Sequence, residues 1–284
     1  MKKIALFAFI FLIIGVIGTL TFARDVFSIG PKETIDTEEQ LDGNNITDVE
    51  IEMDVGKVVL RESDNDKVMI SLNGDVSKKR AESIELDVSE EDGTVVASLK
   101  NREKFGFSIQ NLFDFGDKGS VVLVVSVPNK EYQSVNVSTN VGMIVVEKIH
   151  AQKFMAVSDV GKIVVDELTS EQASLTSDVG EIIVQDGVGA FDVETDTGRI
   201  QLNMLEVTEN IYASSNVGQV NITVKQQPEN LVLDLESDIG EVVLKNVNGF
   251  SNYSGKQLSA ETGTKGPVIT ASTDVGKILV EHQR

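Results

Sequence analysis

From Val135 to the C-terminus, apolar and polar residues alternate, and the alternation restarts again and again around a glycine. Seven and five residues before that glycine the chain is apolar: Phe154 and Ala156, Ala173 and Leu175, Phe191 and Val193, Ile211 and Ala213, Leu233 and Leu235, Ile269 and Ala271. Six and four residues before it the positions are mostly polar, as in Asp192 and Glu194 or Asp234 and Glu236. Two and four residues after it the chain is apolar again, as in Ile163 and Val165, Ile200 and Leu202, or Val220 and Ile222. A period of two on both sides of one glycine predicts two strands meeting at a tight corner.

The corner carries its own phrase, clearest in Ser158-Asp159-Val160-Gly161 and Ser177-Asp178-Val179-Gly180. Eight copies centre on Gly56, Gly142, Gly161, Gly180, Gly198, Gly218, Gly240 and Gly276. Asp or Asn stands two residues before the glycine in all eight, and Ser or Thr three before it in seven. Asx side chains favour turns, and glycine supplies a backbone conformation that other residues resist. From Gly142 to Gly240 the steps are 19, 19, 18, 20 and 22 residues; the last, 36, reads as two repeats with one glycine lost. A short fixed period marks a stacked-repeat architecture.

Two assemblies fit such units: a β-solenoid, whose equivalent positions stack about 4.8 Å apart, or a meander of hairpins, which places them two strands apart. The residue after the glycine decides between them. Lys162, Glu181 and Arg199 alternate in sign, followed by Gln219 and Glu241, and opposite charges attract usefully only as direct neighbours. The expected fold is therefore all-β: a β-solenoid, similar to a parallel β-helix, of two-strand repeats over residues 135–284. A propeller blade needs about 40 residues and does not fit.

The front is less regular. Val49, Ile51 and Met53 lead to an isolated copy at Gly56, alternating segments follow, and Val121–Val127 is nearly all apolar. Residues 46–134 are read as a section that caps one end of the stack, since an open solenoid end exposes core and strand edges. Within it Phe105, Phe107, Phe113 and Phe115 crowd a glycine-punctuated stretch. They form either a lid on the core or a loop that touches a partner or a membrane. Residues 24–45, acidic and without apolar alternation, read as an extended extracytoplasmic linker.

Residues 1–23 change the picture again. Lys2 and Lys3 precede an uncharged stretch, Ile4–Ala23, of the roughly 20 residues that a membrane-crossing helix needs. The expectation is a single-pass anchor at the cell membrane, its N-terminus cytoplasmic and the rest extracytoplasmic. A signal peptide cleaved after Thr21-Phe22-Ala23 is the alternative, although its apolar core would be unusually long.

Composition narrows the chemistry. There is no Cys and no Trp, and only two His, His150 and His282, so disulfides, thiolate metal sites and imidazole catalysis have little to work with. No cofactor is expected. The net charge is -20, a surface that repels phosphate backbones and argues against nucleic acid as a partner.

Two outward features qualify as candidate sites. Stacking would bring Asp159, Asp178, Asp196, Asn216 and Asp238 into one column, each held by corner N–H groups or bridged by Ca²⁺. The calcium-solenoid phrase G-G-x-G-x-D is absent. Val145, Val164, Ile183, Val243 and Leu279 occupy outward positions, either as ordinary strand residues or as an apolar strip for a partner. Carboxylates such as Asp192, Glu194, Asp234 and Glu236 would suit an enzyme acting on wall polysaccharide, but no distinctive cluster singles them out.

The anchor, the irregular β section ending near Val127-Pro128 and the S/T-D/N-V-G-x-I/V-x-V units together resemble a bacterial adhesin-type domain family of unknown function, over residues 46–284. The layout is similar to that of its membrane-anchored members linked to cell-envelope stress in Gram-positive bacteria. The resemblance implies a β-repeat fold outside the membrane, with no catalytic residues to carry over. The expectation is a non-enzymatic, adhesin-like interaction scaffold that meets other envelope proteins or cell-wall polymers. A binder or sensor of cationic peptides or Ca²⁺ is the second expectation.

Overall fold

A computed structural model describes residues 32–101 and 121–283. The expected anchor and the segment holding Phe105, Phe107, Phe113 and Phe115 lie outside the described residues. In chain order the elements are β1 (Lys32–Asp42), β2 (Asp48–Ser63), β3 (Lys67–Ser77), α1 (Lys78–Ser83), β4 (Ile84–Glu91), β5 (Thr94–Asn101), β6 (Val122–Pro128), β7 (Glu131–Glu206), β8 (Ile211–Gln226), β9 (Leu231–Lys245), β10 (Tyr253–Gly255), β11 (Gln257–Thr262) and β12 (Val268–His282). The fold is all-β and solenoid-like.

β7 is a run of 76 residues that passes through four corner glycines, Gly142, Gly161, Gly180 and Gly198. The rungs are parallel and in register, glycine on glycine: Gly56 pairs with Gly142, Gly198 with Gly218, Gly218 with Gly276, and Gly276 with Gly240. Parallel pairing settles the choice between solenoid and meander. The residues seven and five before each glycine, and two and four after it, point inward, so one continuous core runs the length of the stack. Ile163 and Val165 are wholly buried, each contributing roughly 1.5–3 kcal/mol.

Close stacking explains the glycine. A Cβ on Gly161 would lie 1.8 Å from the carbonyl oxygen of Gly142, and Gly161 holds φ at +152°. No larger residue fits unless the neighbouring backbone moves.

The order of the rungs departs from the order of the sequence. β12 lies between β8 and β9, paired in parallel with both. The 36-residue step therefore hides no lost repeat. Instead the chain leaves β9, forms β10 and β11, and returns as an interior rung. β10 and β11 pair antiparallel with the second and first halves of β9, covering the exposed edge of the last rung.

The other end is closed similarly. β5 lies parallel to the first half of β2 and β6 to the second half. β4 is antiparallel to β5, β3 to β6, and β1 to β3. Two sequence expectations need correction here. The copy at Gly56, read as part of the capping section, is the first rung of the stack, because β2 matches β7 residue for residue. Residues 32–42, read as linker, form β1 and pair with β3 along their whole length. Their many acidic groups suit an outermost strand, where charge discourages further pairing.

Candidate functional site

Because equivalent residues stack, the surface is organised in columns, one residue from each rung. Just after the glycine, the Lys162 ammonium lies 2.9 Å from a Glu181 oxygen, and the other Glu181 oxygen lies 3.4 Å from Arg199. The alternation of sign thus becomes a three-residue ion ladder. It resumes beyond Gln219 with Lys277 and Glu241, 3.5 Å apart. Lys277 stands between Gln219 and Glu241 because of the inserted rung. The Ser254 hydroxyl donates to Glu241 at 2.6 Å. That bond, with Lys277 and Lys245 behind it, holds the Glu241 carboxyl below the usual carboxylate range.

Asp159, Asp178, Asp196, Asn216 and Asp238 do share one exposed column. The expected sequence of neighbours is corrected at one place, since Asp274 separates Asn216 from Asp238. Asn216 donates its amide to Asp196 at 3.0 Å, which relieves one like-charge contact. Among the described residues no group of three or more His, Cys, Asp or Glu converges on a possible metal position.

The residues three before the glycine point inward at the corner. Thr139, Ser158, Ser177, Thr195, Ser215 and Thr273 bury hydroxyls that find no hydrogen-bond partner among the described residues. Ser237, in the outermost rung, donates to the Gly276 carbonyl at 3.0 Å.

Val145, Val164 and Ile183 lie on consecutive rungs and are half-buried. The strip is short. Gln201 and Asn221 interrupt it before Leu279 and Val243, and Val243 is buried opposite Ser254 of β10. A more exposed apolar column escaped the sequence reading. It is the residue immediately before the glycine, including Val179 and Val217 (each 48% exposed), Val275 (42%) and Ile239 (67%). Val occurs there in six of the eight copies, which was the available signal.

The positions six, four and two before the glycine form the outer face of the first strand of each rung. Across four successive rungs Asp192, Tyr212, Thr270 and Asp234 are neighbours; so are Glu194, Ser214, Ser272 and Glu236, then Asp196, Asn216, Asp274 and Asp238. Two rows of three carboxylates therefore frame two nearly neutral rungs, about 14 Å apart at a rung spacing of ~4.8 Å. Along the upper border of this face runs a groove of about 760 Å³. Its walls include Phe154, Ala173, Phe191 and Ile211, with Met155 and Tyr212 standing out on the rim.

What these features define is a repeat protein with an extended, column-patterned outer surface. The Toastrack DUF4097 family model matches residues 125–281, more than half of the chain. The chain belongs to the Toastrack family. No curated protein matches it. Solved structures of similar shape include a "putative adhesin" from Bacteroides fragilis, 14% identical, with 90% of this chain and 100% of that one covered and a TM-score of 0.43. Others are a "putative cell adhesion protein" from Clostridium sporogenes (13%, 88% and 100%, 0.41) and a "putative lipid binding protein" from Parabacteroides distasonis (11%, 88% and 97%, 0.44). Likeness at that level carries no information on what this chain binds.

Proposed function

We propose that this chain is a non-enzymatic surface scaffold, tethered to the cell membrane by its N-terminal segment and displaying its solenoid outside. There it meets other envelope proteins or cell-wall polymers in the manner of an adhesin and takes part in the response to envelope stress. The observation that carries the reading is the stack itself. Eight in-register corners hold rows of identical or alternating surface groups in fixed positions, which suits contact with an extended partner better than capture of a reacting bond. The anchor rests on Lys2, Lys3 and the uncharged Ile4–Ala23; no helix among the described residues is long and apolar enough to cross a membrane. The stress link rests on the family resemblance alone.

The test is a C-terminally tagged full chain in its own cells. The scaffold reading expects the tag to be digestible by protease added to intact cells, and the chain to stay with membranes washed in alkaline carbonate. Cross-linking before and after cell-wall damage then reports the partners. A protected tag would remove the surface reading, and release by carbonate would remove the anchor.

A second reading, an acidic binder of cationic peptides, is favoured by one count. None of the eight repeats has a Lys or Arg at six, four or two residues before its glycine.

A further inference from the structure

We infer that the groove beside the carboxylate rows is a docking site for a cationic amphipathic peptide segment, which gives the second reading above a specific location. The groove supplies the apolar half. Phe154 and Phe191 are buried in its walls, while Met155 (43% exposed) and Tyr212 (38%) offer apolar surface that nothing among the described residues covers. Such a concave, mostly apolar surface with a few polar groups is the usual form of a binding site.

The rows supply the charge. Asp192, Glu194 and Asp196 on one rung, and Asp234, Glu236 and Asp238 three rungs away, are all exposed. The stack brings no base into this face at the outward positions. The nearby cations come from elsewhere: Lys153 lines the opposite end of the groove, and Lys256 of the cap donates to the Asp238 carbonyl at 3.2 Å. Other bases on the rungs follow the glycine, where Lys162, Arg199 and Lys277 are already matched with Glu181 and Glu241. Across these four rungs the face before the glycine therefore carries net negative charge beside an apolar trough.

That pairing sets the chemistry of the occupant. Its aliphatic or aromatic side chains lie in the groove, and its ammonium or guanidinium groups lie over the rows. The position of Lys153 orients it, with the cationic end toward Asp192. A carboxylate-rich partner is repelled, and a purely polar cation leaves the groove unfilled. β12 is essential to the arrangement, because it adds Thr270 and Ser272 to Tyr212 and Ser214 of β8 and so spaces the two acidic rows a further rung apart.

The experiment uses the full chain in zwitterionic nanodiscs, with empty discs as the blank, and a labelled peptide of alternating lysine and leucine. An oligolysine of equal length and laurate are the comparison ligands. Binding of the amphipathic peptide is expected to weaken about tenfold in the triple variant Asp192→Asn, Glu194→Gln, Asp196→Asn, and severalfold in Tyr212→Ser, as for charged and aromatic anchors at other interfaces. It should weaken with added salt. Asp166→Asn with Glu147→Gln, exposed carboxylates after the glycine, should leave it unchanged. Because every substituted group is at the surface, circular dichroism should show the fold intact. Failure of both peptides to bind would overturn this site and the acidic-binder reading together. Peptide binding that the triple variant leaves intact would overturn the site alone. Equal binding of oligolysine, or binding of laurate without the peptide, would overturn the amphipathic occupant.

Discussion

The carbonyl oxygen of Gly161 lies 1.8 Å from the point where a Cβ on Gly180 would sit. The obstacle is backbone, which cannot swing aside as the end of a long side chain can, and Gly180 also holds φ at +159°. Gly180→Ala is therefore expected to cost roughly 2–5 kcal/mol, in the range of severe point mutations. Asp178→Ala, at an exposed position of the same corner, should cost less than about 1 kcal/mol. Urea denaturation of the two variants side by side checks the contrast.

The buried hydroxyls separate in the same kind of test. Ser177 buries its oxygen without a partner among the described residues, so Ser177→Ala should be neutral or stabilising by up to about 2 kcal/mol. Ser237 donates to Gly276 at 3.0 Å, and Ser237→Ala should cost about 0.5–1.5 kcal/mol. Equal effects in thermal melts would mean that the hydroxyl column is satisfied uniformly.

Glu181 sits between two cations, so its removal should show in the salt dependence of stability. Glu181→Gln is expected to lower stability by about 0.5–1 kcal/mol at low ionic strength, and by less in ~1 M salt, because the group is partly exposed. A double-mutant cycle with Lys162→Met isolates the direct pair.

Much of this fold was legible because the information was local. The inward pairs such as Phe191 and Val193 follow from period two, and the corners follow from Asx and glycine. The order of the rungs was not legible. Leu233 and Leu235 of β9 and Ile269 and Ala271 of β12 satisfy the same inward pattern, so either strand could follow β8 by that criterion. The acidic frame around Tyr212 was hidden for the same reason. β1 was missed because Ile35 and Leu41 are its only partly buried apolar residues packed on the core, too few to overcome an acidic composition. The exposed Val179 and Val217 were missed because the corner breaks the alternation that assigns inside and outside.

The outer edge at β9 has a pH signature. Glu241 is held below the ordinary carboxylate range chiefly by Ser254 of β10. A depressed folded pKa stabilises the fold above the unfolded value, and the contribution is lost as pH falls through the folded one. Ser254→Ala should therefore lower the melting temperature near neutral pH and make little difference well below the carboxylate range. Carboxyl NMR should show Glu241 titrating at higher pH in that variant.

The place of β12 bears on how the chain is made. Synthesis runs from the N-terminus, and a protein whose last strand lay on the outside could be nearly finished before its end emerged. Here residues 268–282 lie inside the stack, with β8 on one side and β9 on the other. An interrupted chain loses a middle layer, and β9 with its cap has no rung to join. The fifteen residues of β12 thus have to be made before β9 and the strands on its edge can join the stack, which makes this docking a late step of folding.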